Sequence, residues 1–321
     1  MNTENNQRRQ PRSLTPEEKE IRMKRLKRKR NFRIAIVVVG FLMILSLIIS
    51  PVLILTLFRV KSFTVEGAGI YTNDQVVSAS GIVEGKNLLF ADLDEAAENI
   101  ERLLPYTDDV KITKKLPSEI IIRCGSTEKA FAIGMANGLF ALTDKNLKVL
   151  EITGKQPADT ALIIGAVPYK AEIGGIAVFD ALQDGEKEED FVDKTLELLL
   201  EITGAIAENG TKDINLINVS KRSDIYLIYQ ERIVLKLGNG SDLSSKLSLG
   251  NKVINSENNI DPFQFGAINL SVVTEAVFNP SDMKDIPEIV DYNDNYKSEE
   301  TEEENVGEDD EDTSENKENE E

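Results

Sequence analysis

Histidine and tryptophan are missing from all 321 residues, and cysteine occurs once, at Cys124. Without histidine there are no Ser-His-Asp or Cys-His arrangements and no histidine metal sites, and the commonest general base is gone. A single cysteine permits no intrachain disulfide, which excludes a disulfide-stapled extracellular module. Cys124 closes the apolar run Ile120-Ile121-Ile122-Arg123-Cys124 and reads as a small strand residue. Glycine-rich phosphate loops are lacking too. Gly67-Ala68-Gly69 is too short for a dinucleotide fingerprint, which needs a further glycine three residues on. Asp108-Asp109 and Glu188-Glu189-Asp190 are carboxylates adjacent in sequence and read as solvated or capping acids. The chain thus offers no catalytic, cofactor-binding or metal-ligating residue, and no small-molecule substrate is implied.

What is present is a charge-free apolar run, Ile34 to Phe58, directly after a basic cluster. Its 25 residues span about 37 Å as a helix at 1.5 Å per residue, enough for a hydrocarbon core of about 30 Å. Residues 1–33 carry twelve Lys/Arg, eight of them between Arg22 and Arg33, against four Glu. Beyond the run only Arg59 and Lys61 lie close in sequence. This asymmetry puts the N-terminus in the cytoplasm and the large part outside, a single-pass arrangement in the cell membrane. The run exceeds a signal-peptide core, and Ile54-Leu55-Thr56-Leu57-Phe58 has no small-x-small cleavage site, so an uncleaved anchor is expected. The basic stretch serves topology and anionic headgroups. Lys111, Lys114 and Lys115 lack interleaved aromatics, so no nucleic-acid partner is expected.

The net charge of −19 conceals opposite ends, because residues 299–321 hold fourteen Asp/Glu and one Lys. Such a stretch buries too little apolar surface to fold, and residues 291–321 are expected to form a disordered acidic tail dispensable for stability. The region between reads as two domains. Val60 to Gly67 alternates as a strand, Thr72 or Asn73 caps a helix closed by Gly81, and Asp92 caps a second helix ending at Pro105. Val110 to Thr113 and Glu119 to Cys124 are strands joined at Leu116-Pro117-Ser118. From about Lys129 come strands at 131–133, 139–142, 147–150 and 161–165, a helix from Phe191 to Ala207, and strands at 225–229 and 233–237. A helix over 242–254 and closing strands at 265–273 and 275–278 complete the unit.

Four segments carry a resemblance. They are Phe63-Thr64-Val65-Glu66-Gly67; Leu104-Pro105-Tyr106 with Val110 to Ile120; Leu237-Gly238 with Lys246-Leu247; and Phe265 to Pro280, ending Phe278-Asn279-Pro280. In their order and spacing, behind a basic tail and one span, they resemble the FtsQ/DivIB family of bacterial division proteins over residues 34 to about 280. Asn269 stands where that family usually has Asp. The acidic tail is similar to the variable third region of Gram-positive DivIB members.

The resemblance implies an α+β fold: a transmembrane helix at 34–58 after the 1–33 tail, then an extracellular POTRA domain (strand-helix-helix-strand-strand) at 59–128. A β-rich mixed α/β domain at 129–290 and the tail at 291–321 would follow. It further implies a non-enzymatic scaffold at the division septum, with FtsL-type and FtsB/DivIC-type bitopic proteins as partners. A closing strand at a sheet edge is a template for a partner's strand. Partner contact is therefore expected at Ile268, Leu270, Val272, Val273, Ala276, Val277 and Phe278, with proline at Val273 and truncation of Phe278 the sensitive changes. The alternative is a membrane-anchored extracellular cell-wall hydrolase or wall-binding protein, and a hydrolase would need a cleft of convergent polar groups.

Overall fold

A computed structural model describes residues 16–181, 191–256, 260–261 and 263–297. Residues 1–15, Glu188-Glu189-Asp190 and the acidic stretch 299–321 lie outside the described residues. Helix α1 (Pro16–Leu57) includes the whole apolar run save its last residue, and is long and apolar enough to cross a membrane by length and composition. Among the described residues its large side chains from Phe32 to Leu57 are exposed, apart from the part-buried Ile54.

A three-stranded sheet follows, in the order β1 (Ser62–Glu66), β3 (Glu119–Ser126), β2 (Thr107–Lys115). β1 runs parallel and β2 antiparallel to the central β3. Helix α2 (Asn73–Ala79) starts at a capping box, Thr72 Oγ1 accepting from Gln75 N at 3.3 Å and Gln75 Oε1 from Thr72 N at 2.8 Å. Asp92 caps α3 (Leu93–Leu103) by accepting from Glu95 N. Along β3 the alternation delivers Ile120, Ile122 and Cys124 to one face. There they pack with Val76, Leu88 and Ile100 as one apolar cluster.

The second sheet has nine strands in the order β12-β11-β10-β9-β8-β7-β4-β5-β6. These are β4 (Phe131–Gly134), β5 (Phe140–Thr143), β6 (Val149–Thr153), β7 (Ala161–Ile164), β8 (Ile214–Asn218), β9 (Ile225–Tyr229), β10 (Ile233–Gly238), β11 (Gly266–Asn269) and β12 (Val277–Pro280). β7 and β8 are parallel and joined through α4 (Lys194–Glu208), and β10 and β11 likewise through α5 (Leu243–Ile254). One face carries Ile217, Leu227 and Leu235 into the main core with Leu199 and Ile202 of α4 and Leu247 of α5. The other face puts Leu216 and Ile228 beneath Tyr292, and Val234 beneath Ile286 and Ile289. Ile289 and Tyr292 belong to a C-terminal helix, α6 (Pro287–Asn295). Cover on both faces explains why consecutive residues such as Leu227 and Ile228 are both buried.

Three expectations need correction. Helix runs to Asn295 and Tyr292 is buried, so the disordered tail expected at 291–321 does not begin at Asp291, and residues 298–321 lie outside the described residues. β8 lies in the middle of the sheet, over a stretch to which the sequence pattern assigns no strand. The apolar stretch 265–273 is a strand only to Asn269, whose side-chain oxygen accepts from Ser271 N at 3.0 Å and turns the chain.

Polar contacts join the two sheets' units. Asp144 is wholly buried and accepts from Thr127 Oγ1 at 3.2 Å and from the N–H groups of Asn146 and Lys148 at 2.9 Å each. Lys148 Nζ donates to Thr107 O at 2.8 Å, and Tyr106 Oη donates to Glu151 Oε2 at 3.0 Å. Burial pushes the Lys148 ammonium below its usual range and, with Glu151 accepting a hydrogen bond from the phenol, holds the Tyr106 hydroxyl up to about 12.

Candidate docking edge

Of the four edge strands, β1, β2, β6 and β12, the last three differ in chemistry. β2 presents Lys111, Lys114 and Lys115 and carries a bulge between Asp108 and Lys111, features that discourage pairing with another strand. The first part of β6 is already covered: Val149 N donates to Gly175 O and Gly174 N to Val149 O, both at 2.8 Å. Among the described residues, β12 has neither protection. It reads Val277-Phe278-Asn279-Pro280, without charge.

β12 pairs antiparallel with β11 in the register Gly266↔Pro280, Ala267↔Asn279, Ile268↔Phe278 and Asn269↔Val277. Gly266 N donates to Arg232 O and Leu270 N to Lys236 O, so alternate β11 amides point to β10. Ser281 N donates to Phe265 O on the other side. Alternation then turns the amides of Val277 and Asn279 inward to β11, and both backbone groups of Phe278 outward to the open edge. Pro280 has no N–H and limits any added ladder to the segment centred on Phe278.

The Phe278 ring is half-buried against the main core. It lies across Gly266, where a Cβ would come 2.5 Å from the ring and 2.6 Å from Asn279 O. Gly266 is therefore the residue that lets β12 close on β11.

The expected contact residues fall into three groups. Ile268 and Leu270 are fully buried in the core, because β11 is interior rather than at the edge. Val272 and Val273 are exposed but sit in the turn between β11 and β12, so a proline at Val273 removes no ladder bond. Ala276, Val277 and Phe278 lie at or beside the open edge, Val277 exposed and the other two packed partly on the core. Gly266 and Pro280 went unassigned in the sequence, although glycine and proline flanking an apolar strand are signals of close approach and of an edge.

Residues 58–124 match the family "POTRA domain, FtsQ-type", the segment that holds the three-stranded sheet. The chain is 27% identical to the cell division protein DivIB of Clostridium botulinum (strain Hall) over 232 residues, 70% of this chain and 82% of that protein. It is 31% identical to the cell division protein FtsQ of Corynebacterium glutamicum over 156 residues, covering 48% of this chain and 69% of the relative. The chain belongs to the FtsQ/DivIB family of cell division proteins. A DivIB from Clostridium acetobutylicum is 26% identical over 218 residues, 68% of this chain and 82% of that protein. The FtsQ/DivIB assignment accounts for the apolar anchor, the POTRA unit and the β-rich second sheet as parts of one membrane-anchored division protein.

Proposed function

We propose that this FtsQ/DivIB protein is a non-enzymatic scaffold of the division machinery at the septum. Its N-terminus lies in the cytoplasm and residues 59–128 and 129–297 form two units outside the membrane. It gathers FtsL-type and FtsB/DivIC-type bitopic proteins rather than turning over a substrate. The observation that carries the partner assignment is the uncharged edge of β12, uncovered among the described residues, with both backbone groups of Phe278 facing out. A partner strand added there gains affinity from main-chain hydrogen bonds and specificity from alternate side chains.

Calorimetry with the DivIC-type extracellular region tests this reading. Phe278→Pro removes the outward N–H, and binding should be lost while circular dichroism keeps the folded spectrum. Val273→Pro, in the turn, should bind within about twofold of the unaltered chain, a difference of about 0.4 kcal/mol. Equal binding by all three chains would place the interface elsewhere.

A further inference from the structure

The end of α1 does not fray into a linker. Its terminal carbonyls, which a helix cannot satisfy itself, are taken up by the POTRA unit. Asn87 Nδ2 donates to Ile54 O at 2.9 Å and Leu88 N to Phe58 O, just past the helix, at 2.7 Å, while Arg59 Nε reaches back to Leu55 O at 3.2 Å. Val60 N donates to Lys86 O, Gly85 N to Val60 O, and Lys61 N to Ser118 O. Two loops, 82–91 and the β2–β3 tip at 116–118, are thereby fixed at the helix end.

Depth follows from length. The run from Ile34 to Phe58, bracketed by Arg33 and Arg59, spans about 37 Å against a hydrocarbon core of about 30 Å. Its ends lie at headgroup level. Asn87 bonds to Ile54, four residues and so about 6 Å before the run's end, which brings its loop to that level.

What these loops display suits that level. Within the short 3-10 turn Leu88–Phe90, Leu88 is fully buried, while Phe90 is 75% exposed and Leu89 40%. Val83 and Leu116 are exposed at 56% and 57%. Around them stand Arg59, Lys61, Lys86, Lys114 and Lys115. Lys114 Nζ donates to Leu89 O and Ala91 O and fixes the turn. Of the neighbouring acids, Asp92 caps α3 and Glu119 is paired with Lys115 at 2.8 Å, leaving Glu84 and Glu95, the latter beside Lys86 and Phe90. An aromatic and aliphatic rim set among cations, on a chain of net charge −19, is the pattern of a bilayer-interface contact.

We infer that Val83, Leu89, Phe90 and Leu116 dip into the leaflet reached by the C-terminal end of α1. Arg59, Lys61 and Lys86 beside them meet lipid phosphates, so the POTRA unit stands on the membrane at a fixed tilt instead of swinging on its anchor. The inference rests on the anchor alone and holds whichever side of the membrane the domains face.

The test uses the full chain in vesicles of phosphatidylcholine and phosphatidylglycerol. Cys124 is buried and its thiol is raised by burial and by the nearby Glu101 carboxylate, so the unaltered chain serves as the unlabelled blank. Nitroxides at Phe90→Cys and, as the control, at Ile70→Cys at the far end of β1 are compared for collision with membrane-dissolved oxygen and with an aqueous nickel chelate. The label at position 90 should favour oxygen and the label at 70 nickel. In a Leu89→Glu, Phe90→Glu chain, a label at Val83→Cys should become accessible to nickel. Equal nickel access at 90 and 70, an unchanged label at 83, or protection that vanishes as protein is diluted in lipid would overturn the inference. The last outcome would mean contact with a second copy.

Discussion

Gly266 and Tyr292 show how single residues set the edge and the faces of the second sheet. A Cβ at Gly266 would run into the Phe278 ring and Asn279 O. Gly266→Ala should therefore cost about 1–3 kcal/mol, the usual range for overpacking, and should weaken partner capture along with stability. Chemical denaturation read beside binding would check both, and a stable variant with full binding would show that the ring can move aside. Tyr292 of α6 is buried against the sheet, and burial first, then the Glu231 charge and hydrogen bond, push its hydroxyl up to about 12 from an ordinary 10.0. A raised folded value favours the neutral phenol. Its contribution is complete below about pH 10 and disappears as pH climbs towards 12. Denaturation midpoints should fall across that window, and the fall should be shallower in Tyr292→Phe. An identical slope in both chains would remove Tyr292 from the account.

At the scale of elements, α6 is the piece that closes the sheet's second face. Truncation before Asp291 removes Tyr292 from the cluster with Leu142, Leu162 and Leu216. Losing a large buried aromatic costs about 3–5 kcal/mol, and at 2–4 °C per kcal/mol the Tm should drop by on the order of 10 °C. Truncation after Lys297 should leave Tm unchanged within about 2 °C. Equal Tm values would mean that α6 is not docked. This helix was illegible in the sequence because Pro287–Asn295 has few apolar side chains, and their worth depends on a sheet face elsewhere in the chain. β8 was hidden for a related reason. Ile214-Asn215-Leu216-Ile217-Asn218 neither alternates cleanly nor runs continuously, since both its faces are covered. α2 and α3 were readable because Thr72 and Asp92 are local caps and α3 repeats its apolar residues at helical spacing. The closing segment was half legible. Its apolar character announced strands, but the turn at Asn269 and the order of β11 and β12 are tertiary facts, which is why Ile268 and Leu270 fall in the core.

At the scale of the molecule, α1, the POTRA unit and the second sheet form a chain of joined parts. Asn87 holds the first junction, and Asp144, Lys148 and Tyr106 hold the second. The open edge of β12 is the exposed end of that series, and the scaffold reading depends on it. Amide hydrogen exchange across residues 276–281, with and without the DivIC-type extracellular region, addresses that edge most directly. In the free protein the amides of Val277 and Asn279 face β11, whereas the amide of Phe278 has no strand beside it among the described residues. The account predicts that the partner slows exchange at Phe278 by at least tenfold, an added protection of about 1.4 kcal/mol. Unchanged exchange at Phe278 in a saturated complex would contradict it.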